Sequence, residues 1–254
     1  MGSRMKGLLE DKVALVTGAA AGIGRTIVRH LGDAGALGLG FDIAAHCPDL
    51  PQDWLALEGD VCSEDDVREA VDAVRQKFGR LDVVVANAGL VPPWHDTETI
   101  DLDEWDRVFA VNVRGVAATI KHAVPLMKPT GGSIIVMGSL NSRRAHPAQC
   151  LYTASKHAVL GIVRAVALDL GRFDIRVNAL GPGPIATDAL VDRIKTRAEG
   201  GGPAAKEALQ QYAAETALGR IASEDDVARA ALFLASAQSS GITGQILPVD
   251  AGMS

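Results

Sequence analysis

Seven short apolar runs alternate with longer segments of helical periodicity, and no other feature narrows the architecture as far. The runs are KVALVTG, LGLGFD, WLALEGD, LDVVVANAG, SIIVMGS, IRVNALGPG and QILPVD. Strands separated by helices read as β-α-β units on a parallel sheet, and near-continuous apolar strands belong where both sheet faces are covered. The expected fold is α/β, a doubly wound parallel sheet of about seven strands with helices on both faces. A chain of 254 residues lies at the upper end of what one core organises, and no internal repeat or linker divides it, so residues 1–254 are expected to form a single domain. About residues 1–7, with the opening MGSRM, are expected to stand outside the fold.

The connecting segments carry their own signals. In SEDDVREAVDAVRQKFG, Ser63 is placed to cap a helix with Asp66 three residues on; Val67, Val71 and Val74 fall on one face, and Gly79 closes it. The helix holding YTASKHAVLGIVRAVALDLG is apolar around most of its circumference, so it is expected to be largely buried and to end at Gly171. The stretch TRAEGGGPAAKEAL is polar and Gly-rich and reads as mobile, before a further helix at SEDDVARAALFLAS.

Charge and cysteine content remove several function classes. The net charge is -6 and no Lys/Arg run exceeds two residues, which argues against nucleic acid or an anionic membrane surface as a partner. Cys47, Cys62 and Cys150 are odd in number and widely spaced, so neither a disulfide framework nor a zinc site is expected, and no metal at all is assigned. With no export signal or membrane-length apolar run, a cytoplasmic location is expected.

The first strand runs into TGAAAGIG, Thr17 to Gly24, which opens the next helix. Glycines at 18, 22 and 24 allow a tight turn and bring the free N–H groups and positive dipole of a helix N-terminus against a diphosphate. Thr17, Gly18, Gly22, Ile23 and Gly24 are therefore expected to bind a dinucleotide. Asp42 ends the second strand at the distance where a carboxylate accepts from the adenosine ribose hydroxyls. A carboxylate there repels a 2′-phosphate, and neither AAA at 19–21 nor IAAH at 43–46 supplies a cation to hold one, so NAD is favoured over NADP. Asp60 and Val61 after the third strand, and Asn87, Ala88 and Gly89 after the fourth, are expected to line the same crevice at the carboxyl ends of the strands.

Tyr152 and Lys156 stand four residues apart, so on a helix the phenol and ammonium share a face. A free tyrosine titrates at about 10, too high for a base at neutral pH, and a cation beside it favours the phenolate. In isolation such a pair would read as a solvated helix face. In company with TGAAAGIG, NAG at 87, NVRG around Asn112, Ser139 thirteen residues before Tyr152, PG at 182 and the closing ITGQILPVDAG, it resembles the short-chain dehydrogenase/reductase family, from about residue 8 to the C-terminus.

The resemblance implies a Rossmann-type fold and a catalytic tetrad of Asn112, Ser139, Tyr152 and Lys156 acting with NAD. Tyr152 would exchange a proton with a substrate hydroxyl, Ser139 would hold the substrate oxygen, Lys156 would also hold the nicotinamide ribose, and Asn112 would support a water leading from the lysine. It implies that Pro182, Gly183, Ile185 and Thr187 meet the nicotinamide amide, that the stretch 196–203 closes as a substrate lid, and that a homotetramer forms through helices around 103–128 and 151–171 and the last strand. The substrate is expected to be a small molecule. Trp94, Asn141, Arg144, His146 and Gln149, with Arg143 and His95 nearby, make a polar neighbourhood favouring a sugar, polyol or hydroxy acid. Two alternatives stay open: a 3-oxoacyl thioester reductase using NADPH, which Asp42 disfavours, and a non-catalytic dinucleotide-sensing protein, for which a damaged tetrad would be the sign.

Overall fold

The computed structural model describes residues 7–199 and 201–253; the opening residues 1–6, Gly200 and Ser254 lie outside the described residues. The seven apolar runs form β1 (Val13–Thr17), β2 (Leu37–Asp42), β3 (Trp54–Glu58), β4 (Val83–Ala86), β5 (Gly132–Met137), β6 (Ile175–Pro182) and β7 (Ile246–Val249). They make one seven-stranded sheet in the order β3-β2-β1-β4-β5-β6-β7, with every pairing parallel. After β3 the chain crosses back to pair β4 with β1, so the winding reverses at the β1/β4 boundary, where the connections diverge and open a crevice at the carboxyl ends.

The helices are α1 (Gly22–Asp33), α2 (Glu64–Phe78), α3 (Leu102–Phe109), α4 (Val116–Met127), α5 (Cys150–Leu170), α6 (Asp188–Glu199), α7 (Ala205–Ala214) and α8 (Glu224–Ala235). Alternate residues of each strand feed two apolar layers. Val13, Leu15 and Val84 pack with the valines of α2 and the inner faces of α4 and α5. Ala14, Val16 and Val85 pack with Ile27, Val28 and Leu31 of α1 and Val227, Ala231 and Leu232 of α8. Burial on both faces explains why these strands read as unbroken apolar runs. Polar ties at the start of α8 fix it to α1: Thr26 Oγ1 donates to Glu224 Oε2 at 2.9 Å, and Arg29 and His30 meet Asp225 Oδ1 at 2.8 and 2.7 Å.

Helix α2 is built as its sequence indicates. The Ser63 hydroxyl accepts from the Asp66 amide, Val67, Val71 and Val74 are buried, and Gly79 closes the helix at φ 72°.

Helix α5 ends at Leu170 with Gly171 as its C-cap, as expected; Gly171 has φ -54° and starts a further short turn, and the left-handed position falls to Asp174 at φ 56°, in a region that aspartate tolerates. One expectation is corrected: α5 is not largely buried in the single chain; one face carries Ser155, Lys156, Val159 and Val163 into the core, while His157, Gly161, Arg164 and Leu168 are exposed. Within the polar stretch 196–209, the first residues close α6 and the last open α7, with Gly201, Gly202, Pro203 and Ala204 outside both helices. Its alanines, lysine, arginine and glutamates are good helix formers, whereas glycine and proline are not.

Candidate active site

The crevice at the switch point is shaped first by missing side chains. Gly18 and Gly22 take φ of 66° and 53°, and a Cβ on Gly24 would overlap the Gly18 carbonyl and crowd Asn87 Nδ2. Only glycine lets α1 approach β1 this closely. Ala21 precedes α1 without a side-chain cap, and the first turn holds no acid, so the leading N–H groups and their dipole are available to an anion.

Around this turn the expected residues converge. Asp42 leaves the end of β2 with one carboxylate oxygen accepting from Ala20 N and the other from Ala44 N, both at 2.9 Å. The carboxylate is thereby fixed beside the glycine turn, with further lone pairs on both oxygens. Asn87 ties the ends of β1 and β4 by donating Nδ2 to Thr17 O and Gly18 O at 3.1 and 3.0 Å. Thr17 is buried, and its hydroxyl accepts from the amides of Asn87 and Ala88. It braces the crevice floor. Asp60 turns back to accept from Cys62 N at 2.8 Å, while Val61 is buried against Gly115. Ile23 stands in the first turn of α1.

The reacting groups gather beyond β4 and β5. Between α3 and α4 the helical run opens into a π turn, Ala110–Gly115, which contains Asn112. Asn112 Oδ1 accepts from Leu90 N at 2.7 Å, and its Nδ2 donates to Leu90 O at 2.9 Å and Ser155 Oγ at 3.2 Å. The asparagine therefore clamps the loop after β4 onto α5. Gly89 lies against both Asn112 and Lys156: an added Cβ would stand 3.3 Å from Asn112 Oδ1 and 3.8 Å from Lys156 Nζ.

Ser139 sits two residues past β5 and starts a short turn at Leu140–Ser142, its Oγ accepting from Asn141 N at 3.1 Å. That bond leaves the hydroxyl proton available, and the hydroxyl stands beside the Tyr152 phenol, lowering its pKa. Lys156 is buried, donates to Met137 O at 2.7 Å, and lies 5.7 Å from the centre of the Tyr152 ring.

The electrostatics differ from the simple pairing expected of YTASK. Burial raises the Tyr152 pKa, and the opposing influences are Ser139 and then Arg193, not Lys156. Burial also lowers Lys156, to about 8. Both groups resist charging in this water-poor setting, so the protein alone does not hold a ready phenolate.

The polar neighbourhood divides. Asn141 is buried, with Nδ2 donating to Gln149 Oε1 at 2.9 Å and Thr153 Oγ1 at 3.0 Å, so two expected substrate residues hold each other. Arg144 and His146 are exposed. Arg143 and Arg144 line a separate cavity of about 190 Å³ with Pro248 and Asp250, reaching the site only at Ser139. His95 faces Glu104 at 3.2 Å. Trp94 lies beneath Arg193 of α6, whose guanidinium carbon stands 4.1 Å from the ring centre. Arg193 has no counterpart in the sequence reading: a lone arginine on an amphipathic segment carries no signal until α6 is folded over the loop after β4.

After β6, Gly183 packs on Asp250 and donates its amide to Val249 O at 3.2 Å, directly following Pro182 at the strand end. Ile185 is buried and bridges to Ala222, and Thr187 caps α6 by accepting from Leu190 N at 3.2 Å. Near Gly22, Thr187 Cγ2 would be 3.8 Å from an added Cβ, so the start of α6 adjoins the glycine turn. A cavity of about 460 Å³ opens behind this point between Arg25, Arg29 and Ser223–Asp225, sharing only Ile185 with the expected cofactor residues. Among the described residues no His/Cys/Asp/Glu group could hold a metal, and no helix is long and apolar enough to cross a membrane.

Comparison with known proteins agrees with this geometry. Residues 18–254 match the family described as Enoyl-(Acyl carrier protein) reductase. The chain is 39% identical to Short-chain dehydrogenase reductase 3a of Arabidopsis thaliana, over 98% of each chain. Among solved structures it is similar to the ligand-free aldohexose dehydrogenase of Thermoplasma acidophilum, with a TM-score of 0.89 and 32% identity over 96% of this chain and 94% of that one. It is likewise similar to carveol dehydrogenase from Mycobacterium avium in complex with NAD, with a TM-score of 0.89 and 31% identity over 98% and 99% of the two chains.

Proposed function

This chain belongs to the short-chain dehydrogenase/reductase family of NAD(P)-dependent oxidoreductases acting on CH–OH groups, and from that premise we propose that it interconverts a small polar secondary alcohol and its ketone with NAD, using Tyr152 as acid and base. The observation that carries the reading is the meeting of Ser139, Tyr152, Lys156 and Asn112 at the edge of a crevice that only glycines keep open.

The residues present fit a dinucleotide. The uncapped start of α1 suits the diphosphate, and the Asp42 carboxylate, steadied by Ala20 N and Ala44 N, suits ribose hydroxyls and repels a 2′-phosphate. The cofactor supplies the hydride acceptor, or donor in reverse. The substrate hydroxyl lies between Ser139 Oγ and the phenol, where Ser139 donates to the oxygen and holds it as charge develops. Tyr152 takes the alcohol proton as hydride departs, or returns it in reduction.

Burial favours the protonated phenol, and an oxidised nicotinamide, when bound, would bias it toward phenolate through its positive charge. Ser139 and Arg193 bias it the same way, while Lys156, lowered to about 8 by burial, stands 5.7 Å from the ring centre. Asn112 holds the loop after β4 in place and positions Lys156 through Gly89. The exposed stripe of α5, with Leu168 86% exposed and open space beside Gly161, supports assembly as a homotetramer through its long helices.

A panel of sugars, polyols, hydroxy acids and cyclic alcohols with NAD or NADP, read by NADH or NADPH absorbance, tests the reading. Turnover of at least one small polar alcohol with NAD is expected; no turnover of any class, or strict dependence on NADP, would overturn it.

A further inference from the structure

Among the described residues, Arg193 is a strongly basic group acting on the reacting phenol whose charge has no carboxylate partner. It lies on the second turn of α6, and its guanidinium stacks over Trp94 at 4.1 Å. Arg197, one turn on, stands 5.1 Å from the same ring. The Arg193 Nε is buried without a hydrogen-bond partner among the described residues. The charges that act on it are the phenols of Tyr152 and Tyr212, not any carboxylate. Glu104, beneath the Trp94 loop, faces His95 instead.

Stacking on an indole satisfies the face of a guanidinium but none of its N–H groups. A half-buried arginine whose Nε is enclosed with an idle donor is costly, and burial depresses its pKa accordingly. The planar fork is suited to donate to a carboxylate, and it is near enough to the Tyr152 phenol for the two groups to act on each other electrostatically.

We propose that Arg193, held by Trp94, is the anion-binding group of the substrate site, and that the substrate is a small hydroxy acid whose carboxylate meets this guanidinium while its carbinol meets Ser139 and Tyr152. This rests on the alcohol dehydrogenase reading above and narrows its substrate class.

The test compares 2- and 3-hydroxybutyrate, each against its own amide, in wild type, Arg193→Met and Arg193→Lys at one pH. Arg193 also lowers the phenol pKa, so its removal slows every substrate, and the acid-to-amide ratio of kcat/KM isolates recognition. The wild type is expected to prefer at least one acid, with the ratio falling about 100-fold in Arg193→Met and by less in Arg193→Lys. An unchanged ratio, or a wild-type preference for both amides, overturns the proposal.

Calorimetric titration of the NADH complex with butyrate, malonate and butyramide supplies a readout independent of turnover. The two carboxylates are expected to bind wild type and to lose at least tenfold in affinity in Arg193→Met, with NADH affinity kept within about threefold. Absence of carboxylate binding in wild type, equal binding in the variant, or a parallel loss of NADH affinity overturns it, the last by assigning Arg193 to the cofactor phosphates. Should no alcohol be oxidised at all, the dehydrogenase reading fails and the calorimetry still decides the role of Arg193.

Discussion

The cofactor half and the substrate half of the crevice are built on different physical terms. From β1 to β4 the site is made by backbone: glycines that admit close approach, an uncapped helix start, and Asn87 and Asp42 tying adjacent turns through main-chain groups. Across the crevice it is made by side chains from distant elements, with Trp94, Ser139, Tyr152 and Arg193 coming from four separate segments. A half built from backbone is intolerant of added atoms, whereas one built from side chains is tuned by exchanging them.

The largest expected effect separates the two halves directly. Tyr152→Phe removes the proton carrier without touching the glycine turn and is expected to lower kcat by about 10³-fold or more, with NADH affinity changed less than twofold. Stopped-flow turnover and NADH fluorescence titration measure the pair; a rate within tenfold of wild type would refute the acid/base role. On the opposite side, Gly24→Val forces side-chain atoms into the Gly18 carbonyl and Asn87. A loss of at least ~3 kcal/mol is expected, the upper end of ordinary overpacking, because the obstruction is backbone and cannot rotate away. Chemical denaturation should show it together with weakened NADH binding; a variant of wild-type stability and affinity would dissolve the contrast between the halves.

The same contrast explains what could be seen in advance. The seven strands, the helix over 64–78 with its Ser63 cap, the glycine turn and the spacing from Ser139 to Tyr152 are local or periodic signals, each enforced by neighbouring residues. The helix formers on either side of the three glycines belong to α6 and α7, a division the polar, Gly-rich composition of this stretch does not mark. Arg193 was invisible because its role arises only when α6 crosses the Trp94 loop, nearly a hundred residues earlier in the chain. Arg144 and His146 stood closer in sequence to Tyr152, yet the loop turns them outward.

Lys156 tests whether the buried ammonium costs stability, as its lowered pKa indicates. A lysine whose pKa falls from 10.5 unfolded to about 8 folded penalises the fold fully below about 8. The penalty is relieved as pH rises from there to 10.5, where the unfolded chain binds more protons than the folded one. Wild-type stability should therefore climb with pH relative to Lys156→Met, by up to about 3 kcal/mol over the whole window. Tyr152 acts in the opposite sense above about 10, because burial raises its pKa, so urea melts between pH 7 and 9.5 isolate the lysine. Parallel curves for the two proteins would mean that the ammonium is better solvated than its burial suggests.

The smallest expected effect concerns a residue with two roles. Asp42 is read as the ribose acceptor, but its oxygens also hold Ala20 N and Ala44 N, so replacing it loosens the turn that cradles the diphosphate. Asp42→Ala combined with Ile43→Arg removes the charge that repels a 2′-phosphate and places a cation where Ile43 is now 72% exposed. The NAD-to-NADP ratio of kcat/KM should move about 100-fold toward NADP, while affinity for both falls several-fold from the lost cap. Asp42→Asn distinguishes the two contributions: its one carbonyl oxygen can keep either amide contact while the negative charge is gone. If Asn shifts the ratio and spares affinity, charge sets cofactor choice. If it lowers both affinities and leaves the ratio unmoved, Asp42 serves the turn alone, and discrimination lies elsewhere in the backbone-built half.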